Sequence, residues 1–412
     1  MKLITLNEQD FDNFANTHKY KSIYQTSSYK NLKDLNGFKS QYLGILNNNN
    51  ELIGASLILY KTIYLGYKYA YAPCGFLIDY SNYDNVKDLT EKLKKMLYKQ
   101  KFMFFTIDPR IILTKRNIKN EVIEYNPEAN NILNILKKCN YKHKGFNNRF
   151  ENNKARWQAI TELNKSNDEL YYNLNKQTRN KMSKANKSGI VIYKADNSML
   201  PTLYEFIKRK NNKDIKHYEN LLNCYKDNIE IYLAKIEPER YVRNSKYAYE
   251  RELSINEALQ EKIQDKNTKG KDIRKLINKK MESDKILNNE QGNLVRSTRL
   301  FQERPEGIII GGAIVIKQND TVNLYIEGFN KKYNEFNPNY LLKWELIKKF
   351  NNEGYKYFNL NAITGEFKND SKYSGLNEMK LGFAANAVEY IGEFDFIINK
   401  FIYRLYTRKK SK

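Results

Sequence analysis

One order of elements occurs twice along the 412 residues, and it constrains the fold more than any single motif does. Residues 42–60 place the apolar runs YLGIL and ELIGASLILY around the polar turn NNNN, the pattern of a β-hairpin. Val86, Leu89, Leu93, Met96 and Leu97 follow at helical spacing, and FMFFTI (102–107) then reads as a buried strand ending at Asp108-Pro109. The order returns with GIIIGGAIVI (307–316), the turn KQND and TVNLYI (321–326), a second hairpin. Asn337 and Pro338 suit the N-cap and first position of a helix whose Leu342, Leu346, Ile347 and Phe350 share a face, with Gly354 just past its end. KYFNLN (356–361) closes the second series with another strand.

Single cores stop growing at roughly 250–300 residues, so two cores are expected, one per series. The predicted class is α/β (α+β), and the paired pattern resembles a duplicated GNAT acyltransferase unit. Residues 1–145, completed by about 386–412, are expected to form the first unit, and 146–238 with 301–385 the second. Between them, 239–300 turns highly charged, with Leu253, Leu259, Ile263, Ile273, Ile277, Leu287 and Leu294 as apolar positions around the polar turn KNTKGK (266–271). Two helices of roughly 25–30 residues there make an antiparallel coiled-coil arm about 40 Å long. Such an arm serves either dimerisation or a large ligand.

A formal net charge of +24 favours a polyanionic partner: nucleic acid, an anionic membrane or a phosphorylated substrate. The segment KQTRNKMSKANKSG (176–189) carries Lys176, Arg179, Lys181, Lys184 and Lys187 and no acid, which suits a phosphate-facing surface or a solvated helix face. The tail IINKFIYRLYTRKKSK mixes aromatic and basic residues, as a helix at an anionic membrane interface or one docked on the core would. Cys74, Cys139 and Cys224 are far apart and odd in number, pointing to a reducing cytoplasm. His18, His143 and His217 lack metal-site spacing, so no metal is expected. The first residues lack the features of a secretory signal, and no run of about 18 apolar residues occurs.

Several separate patches carry a more specific likeness. QTSSYKNLK holds Gln25, Tyr29 and Lys33; TIDP ends a strand at Asp108; the basic segment holds Thr178, Arg179, Lys184, Ala185, Lys187 and Gly189 before the strand IVIY. YIEGFNKKYNEFNPNYLLKWELIKKFNNEGYKYFNLNAITGEF and NEMKLGFAANAVEYIGEFDF complete the series, with Met379 in the aromatic place before Lys380. In this order they resemble the Fem family of peptidoglycan interpeptide-bridge synthases, aminoacyltransferases that use aminoacyl-tRNA.

The resemblance implies aminolysis of an aminoacyl-tRNA ester, with glycine the first donor to test and alanine or serine next. The acceptor is an amine on the stem peptide, or on a bridge residue already attached to it, of lipid II or of a nucleotide-linked muropeptide precursor, and no cofactor is needed. It places Lys33 on the precursor's diphosphate. Asp108, at a strand's carboxyl end, would orient or deprotonate the incoming ammonium. Lys380 would hold the tRNA acceptor end or the oxyanion. Arg179, Tyr325, Asn361 and Glu393 join the substrate-binding set, and Lys266, Lys269 and Lys271 at the arm's tip are the tRNA contacts. The expected location is cytoplasmic, peripheral at the inner face of the membrane, with a homodimer or a Fem-like homologue as partner. An acyl-CoA-dependent N-acyltransferase and a non-catalytic nucleic-acid-binding protein are the alternatives. The pyrophosphate loop Q/R-x-x-G-x-G/A of the former is absent from both halves.

Overall fold

The chain threads two sheets and crosses between them more than once. A computed structural model describes residues 1–210, 212–265, 270–368 and 371–410, without the side chains of 409 and 410. β1 (Lys2–Thr5), β2 (Lys39–Leu46), β3 (Leu52–Tyr64), β4 (Tyr67–Ala72) and β5 (Phe102–Ile107) begin the first sheet. β6 (Ile112–Arg116) and β7 (Val122–Tyr125) then join the second, and β8 (Tyr141–His143) returns to the first. β9 (Trp157–Glu162), β10 (Ile190–Ala195), β11 (Ile229–Ile236), β12 (Ile308–Gln318), β13 (Thr321–Phe329), β14 (Tyr357–Ala362) and β15 (Ala385–Tyr390) build the second sheet. β16 (Phe394–Ile397) goes back to the first. The orders are β1-β2-β3-β4-β5-β16-β8 and β10-β11-β12-β13-β14-β9-β15-β6-β7.

Sheet membership therefore departs from the expected boundaries. β6 and β7 fall within 1–145 yet lie in the second sheet, where β6 pairs with β15 through Ala387↔Arg116 and Val388↔Lys115. Of the segment 386–412, β15 stays in the second sheet. β16 inserts between β5 and β8, with Phe394 opposite both Ile107 and His143. These pairings join residues some 250–290 positions apart, which no local pattern announces.

Local signals account for the rest. Both hairpin turns use an asparagine in the left-handed region, Asn50 (φ 62) and Asn319 (φ 50), a conformation asparagine tolerates better than most residues. The helix Tyr83–Lys99 buries Val86, Leu89, Leu93 and Leu97, and Pro338–Asn352 buries Leu342, Leu346, Ile347 and Phe350. Gly354 follows with φ 83. Asn337 holds the N-cap position with φ 56, but its side chain makes no cap; its amide donates to Glu335 O at 3.1 Å.

The arm consists of the helices Pro238–Gln264 and Lys271–Glu303, of 27 and 33 residues. Its seam differs from the expected one: Ile277 is 42% exposed and Leu276 turns inward instead. Buried polar residues sit between the helices, with Asn256 Nδ2 donating to Ser283 Oγ at 3.2 Å and Ser283 Oγ to Glu252 at 2.6 Å. The final helix, Lys400–Lys410, rests on the first sheet: Tyr403 meets Phe104 edge-on at 5.1 Å, and Tyr406 meets Tyr64 at 6.0 Å. Phe401 on the same helix is 70% exposed.

Candidate active site between the sheets

Each sheet contains one parallel pair, at the place where the repeated order puts its hairpin beside its second strand. In the first sheet the β4–β5 ladder runs from Lys68↔Phe102 to Ala72↔Ile107, the last residue of each strand. Beyond it, Asp108 ties the chain ends together. Its Oδ2 accepts from Tyr71 OH at 2.7 Å and its Oδ1 from the Cys74 amide at 2.6 Å. In the second sheet the β13–β14 ladder stops after Thr321↔Tyr357, Val322↔Phe358 and Asn323↔Asn359. Asparagine side chains occupy the end of that ladder. Asn359 Nδ2 donates to Gln158 Oε1 at 3.0 Å and Asn323 Oδ1 at 3.2 Å, and Asn361 Nδ2 reaches Leu324 O at 3.4 Å. Asn361 itself is left-handed, with φ 69.

Lys380 enters at this point. Its ammonium donates to Ala362 O at the end of β14 at 2.8 Å and lies close enough to Glu327 on β13 to feel its charge. The short helix Ser374–Leu381 that carries it is pinned by Asn377, which accepts from Thr364 N at 2.9 Å and donates to Thr364 O at 2.8 Å. Burial lowers the Lys380 ammonium to about 8; Glu327 opposes the shift, and Lys343 and Lys210 add to it. Lys343 is fully buried and bonds Glu327 at 2.5 Å. Burial raises the Glu327 carboxyl, but Lys343 outweighs it and holds the group below its ordinary value. A buried cation beside strand ends whose ladder has stopped is suited to an acyl carbonyl that acquires negative charge.

Opposite stands a cationic and aromatic cluster around Lys33, Lys154 and Arg110. Lys154 Nζ lies 3.4 Å from the centre of the Tyr24 ring and 3.2 Å from Tyr29 OH. Lys33 Nζ sits over Tyr29 and Phe38 at 5.3 and 5.2 Å. Arg110 stacks on Tyr390 with 4.4 Å between its guanidinium carbon and the ring centre. Burial lowers Lys154 to about 8 and lowers Lys33 as well, while it pushes Asp108 up to about 6 against the bonds from Tyr71 and Cys74.

A cavity of about 320 Å³ separates the two sides, with Tyr24, Arg110, Tyr325, Asn361, Gln158 and Tyr390 among its lining. Of the residues expected from sequence, Tyr325 and Asn361 face it, Lys380 lies behind Asn361, Asp108 lies two residues before Arg110, and Lys33 extends the cluster through Tyr29. Tyr325 OH also approaches His217 Nε2 at 3.5 Å. Others lie elsewhere. Glu393 is buried and paired with Lys144 at 2.6 Å, accepting also from the Asn153 amide at 2.8 Å. Arg179 donates to Tyr172 O at 2.8 Å on the helix Lys176–Lys187, whose Ala185 is buried. Lys271 opens the second arm helix and is exposed, whereas Lys266 and Lys269 lie outside the described residues. Arg110, Lys154 and the Lys343–Glu327 pair escaped sequence reading. Arg110 directly follows the Asp-Pro motif and was findable; Lys154 sits in a polar loop with no periodicity to mark it. Among the described residues, no group of His, Cys, Asp and Glu is arranged to hold a metal, and no helix is long and apolar enough to cross a membrane.

Comparison with known proteins gives a consistent picture. The family model for the FemAB family matches residues 6–410. Aminoacyltransferase FemA of Staphylococcus aureus is 26% identical over 419 aligned positions, covering 100% of this chain and 99% of that protein. The crystal structure of FemX superposes with a TM-score of 0.74 at 22% identity, covering 98% of this chain and 99% of that one, a likeness of fold.

Proposed function

The chain belongs to the FemAB family, and from that premise we propose that it transfers an aminoacyl group, glycine first, from aminoacyl-tRNA to an amine of a lipid-linked peptidoglycan precursor, building the interpeptide bridge. The observation that carries this reading is the interrupted β13–β14 ladder, whose asparagines line a cavity that a second substrate can enter, with the Lys380 ammonium bound at the end of β14 behind Asn361. The acceptor amine attacks the ester carbonyl, the C–N bond forms, and the C–O bond to the terminal ribose breaks. The amine's proton ends on the departing ribose oxygen. Lys380 stabilises the tetrahedral oxyanion, and holding the reactants together lowers the barrier further, by up to roughly 7–11 kcal/mol in model reactions. Lys33 takes the precursor's diphosphate. Asp108, with both oxygens engaged, shapes the wall behind Arg110. The exposed Phe401 between Lys400 and Arg404 supports peripheral contact of the final helix with an anionic membrane.

The deciding assay supplies labelled aminoacyl-tRNA or acetyl-CoA to a lipid II acceptor. Transfer is expected from charged tRNA alone, to persist in EDTA, and to fall steeply with salt as counterion release is opposed. Equal labelling from acetyl-CoA would overturn the reading.

A further inference from the structure

Among the cations of the cleft wall, Arg110 stands apart. Lys115 pairs with Glu124 at 2.7 Å and Lys21 with Asp320 at 3.4 Å, while Lys19 is exposed and lies over the Tyr20 ring at 5.0 Å. Arg110 is half-buried, yet among the described residues no carboxylate oxygen lies within ion-pairing distance of it. Its fixed contacts are a long hydrogen bond from Nη1 to Ala155 O at 3.4 Å and the face of Tyr390. Asp108 contributes charge from nearby, but its oxygens are bonded to Tyr71 and Cys74. Tyr390 therefore holds the guanidinium plane while most of its five donors remain uncommitted.

Uncommitted donors facing the cavity call for a ligand oxygen, and the planar guanidinium fork matches a carboxylate or a phosphate. Position chooses between them. The precursor's diphosphate is placed at Lys33, beyond Tyr29 and Lys154. The peptide that brings the amine to Lys380 must pass along the wall of side-chain amides from Gln158, Asn323 and Asn359, where Arg110 also faces the cavity. We propose that Arg110 binds a free carboxylate of the acceptor's stem peptide, an assignment that rests on reading this cleft as the acceptor site.

The test measures binding by calorimetry without tRNA, using a soluble nucleotide-linked stem peptide and versions in which each free carboxylate in turn is converted to its amide. Arg110→Gln should weaken binding of the unmodified peptide about 10- to 100-fold, in line with a charge-assisted hydrogen-bonded pair. One amidated peptide should show that weakening with the parent protein and no further loss with Arg110→Gln. Arg110→Lys, which keeps the charge without the fork, should fall between. Equal binding by parent and variant, or the same loss with every amidated peptide, would overturn the assignment. So would a loss that disappears only when the diphosphate is removed. Transfer by the parent is assayed alongside: tight peptide binding without transfer sinks the proposed function alone, and transfer without an Arg110 effect sinks this inference alone.

Discussion

The two parallel strand pairs occupy corresponding places in the repeated order and end in opposite ways. β4 and β5 stay paired to their last residues and are then tied by Asp108, whereas β13 and β14 part after three pairs and admit Lys380. The first pair makes a wall and the second makes a slot. Only a few side chains separate the outcomes: a carboxylate that gathers two donors in one sheet, and asparagines that cap a shortened ladder in the other. Repeated architecture therefore does not imply repeated chemistry, and the acyl group is expected at one sheet only.

The comparison can be broken most severely at Lys343. Lys343→Met leaves Glu327 largely buried without its partner and is expected to cost about 3–5 kcal/mol of stability in chemical denaturation, most of it restored by adding Glu327→Leu. Next in size, Lys380→Met should lower kcat about 10²- to 10³-fold while acceptor affinity stays near the parent's. Because burial brings this ammonium to about 8, the cation is lost as pH rises through that value. A descending limb of kcat near pH 8 should therefore appear in the parent and vanish in the Met variant. Asp108→Ala removes the acceptor for Tyr71 and Cys74, so it should destabilise by about 1–3 kcal/mol and reduce kcat less than Lys380→Met does. A kcat loss larger than that of Lys380→Met, without a stability change, would move the chemistry to the first sheet. Lys33→Ala should raise KM for the acceptor roughly tenfold, the scale of one lost charged contact, and that for tRNA less.

The smallest effect on the sheets is expected from the arm. Replacing 239–300 by a short Gly-Ser turn should leave the circular dichroism of the α/β units intact, because the two helices pack chiefly against each other. Affinity for whole tRNA should fall, with use of a short acceptor-stem mimic unchanged. A dimer-to-monomer change in sedimentation, with both RNAs affected alike, would favour the dimerisation reading instead.

What sequence could show follows from how far each signal reaches. The hairpins, the helices behind them and the paired arm are written in periodicity over a dozen or so residues, and Leu342, Leu346 and Phe350 were legible for that reason. The choice between Leu276 and Ile277 is a difference of one position on a long helix, and its neighbours favour neither. Asn361 fell near a strand end, where ligand crevices form, so its place in the cleft could be anticipated, whereas Tyr325 lies midway along β13. Lys154 and Lys343 could not. A buried lysine looks like any other until its Tyr24 or Glu327 is brought to it by the fold.

The crossing of strands between sheets has a mechanical consequence. β16 needs β5 and β8 on either side, and β6 needs β15, so each unit borrows an edge or an interior strand from the far end of the other's sequence. Neither unit can be excised as a contiguous piece without leaving a gap in its sheet. The halves are laced together like two pages stitched by one thread. Heat should accordingly melt them in a single calorimetric transition, and the width of the cleft is set by shared backbone rather than by a free hinge.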